Sequence, residues 1–267
     1  MRVQVTSWQG FVGAHVLAAV RHRGHSIAPA AGPVDVAIHL APAGVRAALD
    51  ESFARAARLF FLVSAGLHHR RQSRASRREL AARGEAEELV RASGLPFLIL
   101  EPEVMWGPGD VFTNEIAHLM SHLPFDPIPR GGELLEPVAA ADVARALVGA
   151  IERPDLWNAT WTYAGPEAVR YGEIVARIAE ALHPDHRRTL RVPAWAVRAG
   201  AALEERLAGR PRHSRELVDG RMARAGAPRA ARLPIEPLLR MTVATLRGYL
   251  GRGLGPDEQL GSAFLDR

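Results

Sequence analysis

This sequence predicts an α/β fold in which a doubly wound parallel sheet lies between helices, with a small C-terminal α/β lobe. Three observations carry that prediction. Short apolar runs at Val34–Ala41, Leu59–Ser64 and Phe97–Leu100 have the length and β-favouring content of buried strands. Stretches of helical periodicity separate them, at 14–23, 44–58 and about 75–93. The first strand meets the first helix through a glycine turn, Ser7-Trp8-Gln9-Gly10-Phe11-Val12-Gly13.

In that opening segment Val3 and Val5 alternate with polar residues, as in a short strand. From Ala14 to Arg23, Val16, Leu17 and Val20 share one side of a helix. Strand, tight turn and helix together form the frame of a Rossmann-type phosphate cradle. Such a turn aims backbone N–H groups and the positive helix end at a pyrophosphate.

The opening resembles that of the extended and atypical short-chain dehydrogenase/reductases of the NAD-dependent epimerase/dehydratase type, roughly V-T-G-x-x-G-F-[VI]-G. Gly10 and Gly13 match two of its three glycines, and Ser7 stands at the first. Glycine there serves the tight turn and close approach to phosphate. A serine adds bulk, and its hydroxyl can bond phosphate.

Further blocks carry the resemblance along about residues 1–250. Val34-Asp35-Val36-Ala37-Ile38-His39-Leu40-Ala41 is similar to the family's V-D-x-V-I-H-L-A strand. A short strand is predicted at His25–Ala28, only about five residues earlier. A parallel crossover needs a dozen or more. The family's helix and strand in this gap are absent, so the sheet is predicted to be truncated beside the adenosine. The residues that would contact the ribose hydroxyls or a 2′-phosphate are replaced by Pro29-Ala30-Ala31-Gly32-Pro33. Arg21 and Arg23 are near in sequence, as a phosphate site or as solvated helix-end cations.

The stretch Gly84–Leu95 resembles the end of the family's catalytic helix. Glu101-Pro102-Glu103-Val104-Met105-Trp106-Gly107-Pro108-Gly109-Asp110 resembles R-P-x-x-[VI]-[FY]-G-P-G-D, a loop that passes the nicotinamide, with Glu101 in place of its arginine. Residues 136–147 and 171–182 resemble blocks of the family's small lobe. The expected organisation is a nucleotide-binding domain at 1–110, to which 134–165 returns. A mostly helical small lobe follows at 111–252, then a weakly patterned tail at 253–267.

Composition narrows the chemistry. There is no cysteine, so disulfides, thiolate nucleophiles and cysteine zinc sites are excluded. All 34 basic residues are arginine. No lysine is present for a Schiff base, a proton relay or a Walker-type phosphate contact. The chain enters a strand directly and holds no apolar run of membrane-spanning length. A cytoplasmic protein is expected, with a position peripheral to the inner membrane as the alternative.

The family's redox and epimerase members use a Tyr-x-x-x-Lys pair. The resemblance aligns Arg83 with the lysine and Glu79 with the tyrosine, and the three tyrosines Tyr163, Tyr171 and Tyr249 lie elsewhere. Glu79 and Arg83 read as a surface i, i+4 ion pair or as a replacement dyad. Ser64 falls near the family's serine. Candidates for chemistry are Ser64, Glu79, Arg83, Glu101 and Glu103; Glu101 and Glu103 fall at the cleft loop, where a buried carboxylate has a raised pKa. His118 and His122 have metal-face spacing without a third ligand, and His183-Pro184-Asp185-His186 reads as a loop, so no metal is expected. No G-x-S-x-G elbow supports hydrolase chemistry.

The resemblance implies a cleft lined by Ser7, Gly10, Phe11, Val12, Gly13, Leu40, Ala41, Ser64, Arg83, Pro102 and Val104. NAD(P) is the implied cofactor, with weak or lost binding as the alternative. In the C-terminal third, Val192-Pro193-Ala194-Trp195 leads to a helix through about Leu207, flanked by arginines. It reads as a lipid- or partner-facing helix, or as one packed on the small lobe. Nucleic acid is disfavoured because interleaved aromatics are lacking. This third resembles the branch containing the nucleotide-binding accessory subunit of respiratory complex I. Three readings stay open: a non-redox homologue with a structural, assembly or sensing role, acting on a protein partner or a small molecule; an NAD(P)-dependent reductase, epimerase or dehydratase with unusual groups; and a cofactor-free isomerase or cyclase.

Overall fold

The structure is a computed structural model and describes residues 1–64, 74–121, 123–130, 134–184, 188–193, 196 and 230–250. The first half of the chain alternates strand and helix: β1 (Arg2–Thr6), α1 (Phe11–His22), β2 (Ser26–Ile27), β3 (Val36–His39), α2 (Val45–Ala54), β4 (Leu59–Val63), α3 (Arg74–Arg91) and β5 (Phe97–Pro102). Then come β6 (Met105–Trp106), α4 (Val111–Ser121), β7 (Asp126–Pro129), β8 (Leu134–Leu135), β9 (Val138–Ala139) and α5 (Ala140–Gly149). After two 3-10 turns follow β10 (Ala159–Tyr163), β11 (Val169–Arg170), α6 (Tyr171–Leu182), β12 (Thr189–Val192), β13 (Ala231–Arg232) and α7 (Val243–Arg247).

Seven strands form one parallel sheet in the order β13-β10-β5-β4-β3-β1-β2. Period-2 alternation divides its side chains between two layers. Phe61, Val63, Leu98 and Leu100 join Val12 and Val16 of α1 and Val143 and Leu147 of α5. Phe60, Leu62 and Ile99 point the other way, against Leu49 of α2 and Val90 of α3. Strands buried on both faces read as continuous apolar runs, which is why β4 is Leu-Phe-Phe-Leu-Val.

The expected truncation is present. β2 pairs with β1 through two residues and forms the edge of the sheet. The chain then passes directly to β3 on the other side of β1. Arg55, just beyond α2, holds this shortcut by donating to the carbonyls of Gly32 (2.9 Å) and Pro29 (2.5 Å).

A second core gathers Trp106, Phe112, Ile116, Ile174, Ile178 and Leu246 from β6, α4, α6 and α7, with Tyr249 just beyond α7. The β7–β12 pair was not legible in the sequence. β7 reads Asp-Pro-Ile-Pro, and prolines are confined to edge strands. The helix proposed after Val192 and the tail from 253 lie outside the described residues.

Candidate functional site

A parallel α/β sheet binds ligands at the carboxyl ends of its strands, where the winding reverses. Here the reversal lies between β1 and β3, because the chain leaves β1 first for β2 and then for β3. The glycine turn sits above it.

Ser7 has φ +57°, in the left-handed region. A non-glycine residue there costs roughly 1–2 kcal/mol. Trp8 follows and is 49 % exposed. The chain then turns back so closely that a Cβ on Gly13 would lie 1.8 Å from the Trp8 carbonyl oxygen, so only glycine fits. A Cβ on Gly10 would meet nothing within 4 Å. Gly10 is the N-cap of α1, with no side-chain cap and no acid in the first turn. In the first turn Gly13 N–H already donates to Gly10 O (3.0 Å), and the N–H groups ahead of it carry the positive pole of α1. Phe11 is half-buried, and Val12 is buried in the main core.

Leu40 and Ala41 follow β3, and Leu40 N–H donates to Thr6 O (3.2 Å). His39 is buried beneath them, a residue the sequence reading did not single out. Its Nε2 lies 2.8 Å from Ala43 O and its Nδ1 2.7 Å from Thr6 Oγ1. A carbonyl only accepts, so Nε2 carries the hydrogen and the Thr6 hydroxyl donates to Nδ1. Burial pushes the His39 pKa down, against the bond to Ala43. It is a neutral strut between β1 and the loop after β3.

The second part of the site lies at β4, α3 and β5. Ser64 is fully buried and donates to Glu87 Oε1 (2.7 Å). Arg83 Nε lies 2.8 Å from Ser64 Oγ and 3.1 Å from Glu87 Oε1. Its Nη2 lies 2.7 Å from Glu101 Oε1. Arg91 reaches the other Glu87 oxygen at 3.0 Å. Arg83 therefore does not sit on a surface face: it is 7 % exposed, and its Nε and Nη2 both bond inward. Glu87 was missed in the sequence, although its i, i+4 spacing from Arg83 was available as a signal. The Glu79 side chain lies outside the described residues.

Glu101 has its pKa raised, with burial first among the causes. Arg83 pulls it down, and the Glu87 charge pushes it up. Pro102 ends β5 beside Tyr163 of β10, and Glu103 N–H donates to Tyr163 O (2.9 Å). Glu103 and Pro102 are buried, and Val104 is half-buried. All three tyrosines are buried. Burial, aided by the Asp142 charge, pushes the Tyr163 phenol up. Tyr249 is bonded to Thr113 and Asp110 in the small lobe.

Other expectations separate from this cleft. Arg23 follows the last residue of α1, about 18 Å from the glycine turn at 1.5 Å per residue, and pairs there with Glu152. Among the described residues no three metal-capable side chains cluster. His122, Asp185 and His186 lie outside them. No helix among them is long and apolar enough to cross a membrane.

The two halves fit a dinucleotide unequally. The turn offers open backbone donors to a pyrophosphate. At the ribose end the cation is spent on two carboxylates, and the sheet edge that walls the adenosine is short.

No protein-family model matches the sequence. Solved structures do match in fold. RMD from Pseudomonas aeruginosa, complexed with NADPH, aligns over 97 % of this chain and 100 % of its own at 15 % identity and a TM-score of 0.65. UDP-glucose 4-epimerase from Thermotoga maritima, with UDP-glucose, aligns over 94 % and 97 % at 14 % identity and a TM-score of 0.63. WbmH from Bordetella bronchiseptica, in complex with NAD+, aligns over 92 % and 96 % at 12 % identity and a TM-score of 0.58. This chain shares with these structures a Rossmann-like α/β fold.

Proposed function

We propose that this chain is a non-redox homologue of the short-chain dehydrogenases, with a structural, assembly or sensing role and weakened or lost NAD(P) binding. The observation that carries this reading is the network of Ser64, Arg83, Glu87 and Glu101. The family resemblance aligns Ser64 and Arg83 with its serine and lysine positions, and here both side chains bond inward to carboxylates. A cation that neutralises two carboxylates has little attraction left for a ribose or phosphate. No tyrosine stands on α3 to donate or take a proton. Ser7 at positive φ supports the same reading, because strain in the turn lowers the return on closing it around phosphate.

The residues that would hold a nucleotide are Ser7, Gly10, Phe11, Val12 and Gly13 at the turn, Leu40 and Ala41 beyond β3, and Ser64, Arg83, Pro102 and Val104 at the far end. Bound there, the nucleotide would supply hydride chemistry.

The test is calorimetric titration with NADPH and NADH, after mass spectrometry of the purified protein for carried-over nucleotide. The reading expects no binding tighter than about millimolar, a free energy of about −4 kcal/mol. Micromolar binding with nicotinamide oxidation in the presence of nucleotide sugars would overturn it and establish the reductase or epimerase reading.

One observation favours a second reading, a cofactor-free isomerase or cyclase. Glu101 combines a raised pKa with a place at the carboxyl end of β5, as a general base requires. A Glu101→Gln variant that keeps full activity on any isomerisation substrate found by screening would exclude it.

A further inference from the structure

Away from the cleft, a groove runs along α5 near the carboxyl end of α1. It encloses a cavity of about 400 Å³, within the size range of small-molecule sites. Arg23, Arg145 and Arg153 line it, with Glu152 as the one acid in the lining and Pro234 and Ile235 as an apolar edge.

The guanidinium groups are held but not used up. Arg23 spends one nitrogen on Glu152 (3.2 Å), and Gly149 gives it room, since a Cβ there would lie 3.2 Å from Arg23 Nη2. Arg145 spends Nη2 on Asp142, and that carboxylate is buried and also accepts from Leu239 N–H (2.9 Å). Arg153 spends Nε and Nη2 on Asp155. An arginine carries five donors, so each keeps N–H groups for a ligand. The negative poles of α1 and α5 end nearby and would draw cations by themselves. Arg145, in the middle of α5, is not explained that way.

A second observation concerns Glu152, the acid of the lining, and the histidine behind it. The His25 side chain is 7 % exposed, and its Nε2 has no hydrogen-bond partner. It faces Glu152 Oε1 at 3.8 Å, a separation too long for a hydrogen bond. A His25 ring with its hydrogen on Nε2 gains a bond when Glu152 turns towards it. That turn would release Arg23 to an incoming anion.

We propose that this groove binds a compact phosphate-bearing anion, a phosphate ester or diphosphate. Arginine forks would grip the phosphate oxygens, and any carbon portion would rest on Pro234 and Ile235. The proposal is independent of the reading of the cleft, and α1 joins the two sites end to end.

The test is calorimetric titration of the full chain with inorganic pyrophosphate at low ionic strength. One saturable site per chain is expected. Arg145→Gln and Arg153→Gln should each weaken binding about tenfold, as loss of one charge-assisted contact does. Arg153→Gln disturbs only an exposed pair, so the test survives if Arg145→Gln fails to fold. Gly10→Asp, which sets a carboxylate in the glycine turn, should leave pyrophosphate binding unchanged. Absence of binding, or a non-saturating signal, would overturn the proposal. So would binding lost in Gly10→Asp and kept in both arginine variants, because the anion would then sit at the turn.

Discussion

The two halves of the cleft are built from different material, backbone at one end and side chains at the other. At the glycine turn the backbone geometry is kept: Gly13 fills a space where no other residue fits, Gly10 leaves the approach open, and α1 begins uncapped. Only Ser7 departs, at the cost of a left-handed serine. At β4, α3 and β5 the polar side chains bond to each other. Ser64, Arg83, Glu87 and Glu101 satisfy one another with little left for a ligand. A backbone site persists while the fold persists, because packing dictates it. A side-chain site can be closed by one or two substitutions, because a new carboxylate within reach captures the cation.

The contrast can be broken at either end. The largest effect is expected from Gly13→Ala, which drives a methyl group into the Trp8 carbonyl. It should cost more than about 4 kcal/mol or abolish folding, read by chemical denaturation. Near-wild-type stability would mean that the turn is more plastic than its geometry implies. Arg83→Ala should come next, at about 3 kcal/mol, since it leaves the half-buried Glu101 without its cation and the buried Glu87 with Arg91 alone. A loss under about 1 kcal/mol would show that the network is solvated and the cleft half open.

Ser7→Gly should move the other way, stabilising by about 1 kcal/mol as the positive-φ strain is relieved. It should also raise affinity for a dinucleotide more than any change at Arg83. A destabilised Ser7→Gly would mean that the serine hydroxyl contributes more than the strain costs.

The smallest effect is a pH dependence. Glu101 holds its proton more tightly in the folded chain than in the unfolded one. Its contribution to stability is therefore complete at low pH and is lost as pH rises from the ordinary carboxylate range through the raised native value. Denaturation midpoints of Glu101→Gln across that window should lack the decline that the wild type shows. Parallel curves would remove the burial argument for this carboxylate.

Much of the frame was legible before any coordinates. β4 and β5 announce themselves as short apolar runs, and helices α1, α2 and α6 by spacing. The missing helix and strand follow from counting residues between β2 and β3, because a crossover has a minimum length. Short pairings such as β7–β12 were hidden, since two prolines mask an edge strand. In the cleft the residue types were readable and their partners were not. Glu79 and Glu87 both stand one helical turn from Arg83, and both are plausible partners by spacing alone. Only the packing of α3 on β4 and β5 turned Arg83 inward, where Ser64 and Glu101 wait.

The sequence by itself determined the alternation of strands and helices, the truncated edge, and the absence of cysteine, of lysine and of a tyrosine on α3. These are properties of composition and local periodicity, and no tertiary contact can alter them. Tertiary structure decided which charges meet. Burial removes water from a carboxylate and leaves its energy to the nearest cation, so partners far apart in the chain determine whether Arg83 is a ligand or a strut. It also carried Arg23 away from the glycine turn to the far end of α1, beside Arg145 and Arg153, where a groove of cations forms that no single stretch of sequence contains.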